Sequence, residues 1–136
     1  MKILIFSIGN ETISQKIIDG LNQFKNCQII LLEDHQSFKK EFRHCFSGET
    51  VVVFFIEGEE DMSFLESMEK EFVDIKLIIN QPGHTNSFYG RILSLHPRLI
   101  TNIRECRELL PGVVRKTVIE MLKTSVTNDT NNPIAF

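Results

Sequence analysis

Five short apolar bursts divide this chain, and each is followed by a segment of different, helix-like patterning. The bursts are Lys2 to Phe6, Gln28 to Leu32, Val51 to Ile56, Ile75 to Ile79 and Leu99 to Ile100. Strands that are apolar almost throughout must be covered on both faces, which is the signature of a parallel sheet. That requirement constrains the fold more than any other feature of the sequence.

The intervening segments supply the cover. Ile13, Ile17, Leu21 and Phe24 recur at helical spacing, and Asn10-Glu11-Thr12 can cap the helix they define. Gly20 inside this stripe weakens it slightly. Ser37 can cap a second helix with Phe38, Phe42, Cys45 and Phe46 on one face, and Gly48-Glu49-Thr50 turns into the third strand. Asp61 or Ser63 can open a third helix that turns Phe64, Leu65, Met68 and Phe72 inward. Asn80-Gln81-Pro82-Gly83 reads as a turn ending the fourth strand. A fourth helix is expected from about Asn86 to Leu95, stopped by His96-Pro97, and a short fifth strand over 98–102. Pro111 suits the first turn of a last helix carrying Val114, Val118, Met121 and Leu122. The resulting fold class is α/β: a three-layer, doubly wound, five-stranded parallel sheet of flavodoxin-like topology.

At 136 residues the chain is about one domain. The polar segment from Ser125 to Pro133 divides it into a domain over 1–124 and a flexible tail over 125–136. A net charge of -3 gives no bulk attraction to nucleic acid or anionic lipid, so neither partner is expected. Val51 to Ile56 is far too short to span a membrane, and no export signal follows Met1, which favours the cytoplasm. Cys27, Cys45 and Cys106 and the histidines 35, 44, 84 and 96 show no metal-ligand spacing. Neither a disulfide nor a metal is assigned, and no cofactor is expected.

In open α/β sheets the chemistry gathers at the carboxyl ends of the strands. Here those ends carry Ser7-Ile8-Gly9-Asn10, Glu33-Asp34, Glu57-Gly58-Glu59-Glu60-Asp61, Asn80-Gln81 and Thr101-Asn102. In length, element order and strand placement, residues 1–124 resemble a receiver domain of two-component signalling. Receivers carry an acidic pair after the first strand, a phosphorylated aspartate ending the third, Ser or Thr ending the fourth and lysine ending the fifth. On that resemblance Ser7 and Ile8 stand for the acidic pair, Glu57 for the phosphoacceptor, Asn80 for the Ser/Thr and Asn102 for the lysine. Leu99 falls where an aromatic switch residue is common. Four departures around one pocket remove the metal, the acceptor and the charge partner together. The resemblance is thus to an atypical or pseudo-receiver, in which Glu57 imitates the charged state rather than accepting phosphate.

Other readings stay open. Ser7, Gly9, Asn10 and Asn80 could hold a nucleotide or another anion at two converging turns, although neither GxGxxG nor a Walker motif is present. No Trp and a single Tyr89 give a flavin little to stack on, and no G-x-S-x-G elbow supports a hydrolase. The acids from Glu57 to Asp61 suit a solvated loop and helix start, with only Glu57 expected in the cleft. Tyr89, Arg91, Leu99 and Arg115 are candidate interface residues on the fourth helix, fifth strand and last helix. The expected function is a non-enzymatic signalling module that acts through protein partners, with a weak homodimer on that face. A flavodoxin-like small-molecule-binding domain is the alternative.

Overall fold

The apolar bursts pair into one parallel sheet in a computed structural model that describes residues 1–7, 11–22, 24, 27–45, 48–81, 88–97, 99–102 and 111–121. The strands are β1 (Lys2–Phe6), β2 (Gln28–Leu32), β3 (Thr50–Phe55), β4 (Lys76–Gln81) and β5 (Leu99–Asn102). Their order is β2-β1-β3-β4-β5, with every neighbouring pair parallel. This is the doubly wound, flavodoxin-like topology expected from element order. The chain reverses its direction of travel across the sheet between β1 and β3, and the central strand β3 is buried along its whole length.

The helices are α1 (Glu11–Leu21), α2 (His35–Phe42), α3 (Glu59–Ser67), α4 (Tyr89–Leu93) and α5 (111–121), with a 3₁₀ turn at Glu69–Phe72 after α3. Alternation along the strands sends their side chains to two separate cores. Ile3, Ile5, Val51, Val53, Phe55 and Ile78 pack with Ile17 and Leu21 of α1 and with Val114, Val118 and Met121 of α5. Leu4, Phe6, Val52, Phe54, Leu77 and Ile79 meet α2, α3 and α4 on the other face. The second core is largely aromatic. Phe6 stacks on Phe54 at 4.3 Å between ring centroids, and Phe38 stands edge-on to both. Phe42 meets Phe72 edge-on at 5.4 Å. Edge-to-face and offset arrangements of this kind add to plain area burial.

Local chemistry moves several expected boundaries. Asp34, not Ser37, caps α2: its carboxylate accepts from the Ser37 backbone N–H at 2.7 Å and from the Ser37 hydroxyl at 2.8 Å. Ser37 lies inside the first turn as the donor of both bonds, and the Asp34 carboxylate also suits the positive helix end. α3 starts at Glu59, before Asp61 and Ser63, because Asp61 reaches back to bond the Glu57 N–H at 2.9 Å. β4 continues beyond Ile79 to Gln81, since Ile56 N–H finds the Asn80 carbonyl at 2.9 Å and the ladder to β5 runs on to Asn102. α4 is shorter than expected, and the Asn86 start falls outside the described residues, as do Phe46, Leu122 and the expected tail over 125–136.

Candidate functional site at the carboxyl edge of the sheet

Register sets out the candidate cleft row by row. Phe6 pairs with Phe54, so Ser7 comes level with Phe55, which pairs with Asn80, which pairs with Thr101. Paired residues of a parallel sheet share a face, and Phe55 belongs to the core under α1 and α5. The phenyl ring of Phe55, fully buried, therefore occupies the row between Ser7 and Asn80. Ser7 and Asn80 are themselves buried and neutral. Glu57 lies two positions beyond Phe55, exposed, with its backbone N–H held by Asp61. Asn102 lies one row beyond Asn80, opposite Gln81; Ile8, Gly9, Asn10 and the side chains of Leu99 and Asn102 fall outside the described residues. Among the described residues, no three His, Cys, Asp or Glu side chains come together as a metal-binding group.

The acidic segment behaves differently from the solvated loop it suggests. Glu59 and Glu60 are exposed, but Asp61 is buried at 5% exposure. Its Oδ1 lies 2.7 Å from His35 Nε2 while Oδ2 takes the Glu57 N–H. The His35 ring stacks on Phe64 at 4.3 Å between centroids and lies near Phe6. The starts of α2 and α3 are thereby tied together beside the strand ends. Asp61 is recognisable in the sequence as an acid in the first turn of a helix; its partner, twenty-six residues away, leaves no local signal.

A second feature lies between β1, β2 and α1. Ser7, Ser14, Gln15, Leu31 and Glu33 line a cavity of about 230 Å³. The Ser7 and Ser14 hydroxyls are buried there with no hydrogen-bond partner. The sequence groups Ser7 with Gly9, Asn10 and Asn80 as possible ligand-binding residues; it marks Glu33 only as a strand end, and Ser14 not at all.

The expected interface residues separate. Tyr89 is exposed on α4, joined by Leu93, which the sequence reading did not single out. Arg91 is engaged within the chain. Its Nε and Nη2 bond the Glu66 carboxylate and its Nη1 bonds Glu59 at 2.8 Å, so the guanidinium ties α4 to α3. These bonds hold Glu59 and Glu66 below the usual carboxylate range and raise Arg91 further. Arg115 of α5 is exposed and lies over the Phe24 ring at 6.0 Å.

No protein-family model matches the chain, and no curated protein matches it. Solved structures do. The signal receiver domain of a putative LuxO repressor protein from Vibrio parahaemolyticus is 9% identical, with 96% of each chain covered and a TM-score of 0.65. The isolated REC domain of RcsB from Salmonella enterica serovar Typhimurium is 13% identical, covering 82% of this chain and 83% of that one, with a TM-score of 0.63. A response regulator from Colwellia psychrerythraea is 9% identical over 88% of this chain and 97% of that one, with a TM-score of 0.64. Likeness at such low identity carries the fold: the chain has a receiver-like fold.

Proposed function

We propose that this chain is a pseudo-receiver: a non-enzymatic signalling module whose output is contact with protein partners and does not depend on phosphorylation. One observation carries the reading. The row where a receiver gathers charge for phosphoryl transfer holds neutral, buried Ser7 and Asn80 with the Phe55 ring between them. A phosphoryl group brings at least one full negative charge, and divalent cations that offset it need oxygen ligands of opposite charge. Neither serine nor an amide supplies that charge.

Glu57 then acts as a permanent acid at the end of β3 that holds the cleft in one state. The working surface is the face of α4, β5 and α5, where Tyr89 and Leu93 offer exposed apolar area. No helix among the described residues is long and apolar enough to cross a membrane, and the cytoplasm remains the proposed location. Beryllium fluoride with Mg²⁺ tests the reading, because it mimics a phosphorylated acid only where a metal site exists. Amide spectra unchanged by saturating mimic are expected; mimic binding that disappears in Glu57→Gln would refute the proposal.

A further inference from the structure

The unpartnered hydroxyls of Ser7 and Ser14 call for a physical explanation. A buried polar group without a partner costs about 1–3 kcal/mol, and native structures rarely keep two in one place. Both line the same cavity, whose 230 Å³ compares with about 30 Å³ per water molecule in the liquid. The space is large enough for a small organic molecule or a cluster of several waters.

The lining decides which chemistry it favours. Gln15, exposed at the rim, donates its amide nitrogen to Asp19 Oδ1 at 2.8 Å, which leaves its carbonyl oxygen as a further acceptor. Glu33 adds a carboxylate and Leu31 an apolar wall. Two serine oxygens complete a set that is rich in acceptors, and among the described residues no Lys, Arg or His lines the cavity. Ser14 sits near the amino end of α1, where the helix dipole alone would favour an anion. A full carboxylate outweighs the partial charge of a helix end.

We propose that this cavity between β1, β2 and α1 binds a compact organic cation, a small primary ammonium whose N–H donors meet Glu33 and the hydroxyls of Ser7 and Ser14. The site lies on the α1 side of the sheet and owes nothing to the α4 surface, so it stands or falls apart from the signalling proposal.

Amide NMR of the whole chain, titrated with ethanolamine, glycerol or inorganic phosphate at constant ionic strength, tests the inference. Ethanolamine should give saturable shifts at Ser7, Ser14, Leu31 and Glu33. Ser14→Ala and Glu33→Gln should each weaken it by about tenfold, the worth of one hydrogen bond to a charged group. Glu33 is exposed, so its variant keeps the fold even if the buried Ser14 site does not tolerate change. Saturable binding of phosphate at these residues would overturn the inference. So would glycerol binding as well as ethanolamine, or no saturation by about 50 mM, the behaviour of a cavity that holds only water.

Discussion

His35 Nε2 and Asp61 Oδ1 lie 2.7 Å apart, joining the first residue of α2 to the first turn of α3. The same carboxylate takes the Glu57 N–H through its other oxygen. Asp61 thus serves as a helix-start acid and as a tether between two helices that pack on one face of the sheet.

Replacing Asp61 with Ala removes the carboxyl group that bonds both the Glu57 N–H and the His35 ring. The expected loss is about 1–3 kcal/mol of folding stability, read from urea denaturation. Asp61→Asn keeps an acceptor oxygen and should lose less. Equal stability of Asp61→Ala and wild type would show the tether to be energetically silent.

Among the described residues, three carboxyl groups are held below their ordinary range: Asp34 by the Ser37 backbone N–H and hydroxyl, and Glu59 and Glu66 by Arg91. A depressed folded-state value means stability that is complete above the ordinary carboxylate range and lost as pH falls through the depressed values. The urea midpoint should therefore decline from about pH 5 downward. A Glu59→Gln/Glu66→Gln double variant should show a shallower decline than wild type. These groups are well exposed, and added salt should shrink the difference.

Burial raises the Cys27 and Cys45 thiols above their usual range, with the amino terminus partly opposing the effect at Cys27. Both should be mostly thiol at neutral pH and alkylate more slowly in the folded chain than in urea. Peptide-resolved mass spectrometry after iodoacetamide treatment checks this residue by residue. Cys45 also donates to the Glu41 carbonyl at 3.4 Å, which helps to hold it in place.

Most of the fold was legible because strand burial on two faces forces apolar runs, and because helix stripes repeat locally. All five strands lie where the bursts place them, with ends shifted by a residue or two. At the starts of α2 and α3 the boundary depends on which side chain captures a backbone N–H, whereas β4 runs on because its backbone keeps finding ladder partners. Asp34 caps α2 in place of Ser37, and Asp61 reaches back past the expected start of α3. The candidate cleft was legible in part. Ser7 and Asn80 reach the same row through strand register, which follows from order and parallel pairing. Arg91 reads as an outward anchor because composition does not reveal that Glu59 and Glu66 of α3 stand opposite it. The Ser7–Ser14 cavity was equally hidden, since serines in a strand end and a helix carry no mark of shared burial.

The α4 face leads to a prediction about assembly. Tyr89 and Leu93 are each about half exposed, and a two-fold contact would bring both against their own copies. A weak monomer–dimer equilibrium is expected in sedimentation, loosened by Tyr89→Ala. Charges on α5 guide its register, so high salt should weaken it. A strict monomer at high micromolar concentration would remove this face as a self-association surface.

The central claim is that the strand-end cleft no longer performs phosphoryl chemistry. Intact-mass measurement of the purified chain after incubation with acetyl phosphate and Mg²⁺ tests it most directly. The account predicts an unchanged mass in wild type and in Glu57→Asp alike, because restoring an aspartate leaves neutral Ser7 and Asn80 around it. A stoichiometric phosphate adduct on the wild-type chain, abolished by Glu57→Gln, would contradict it.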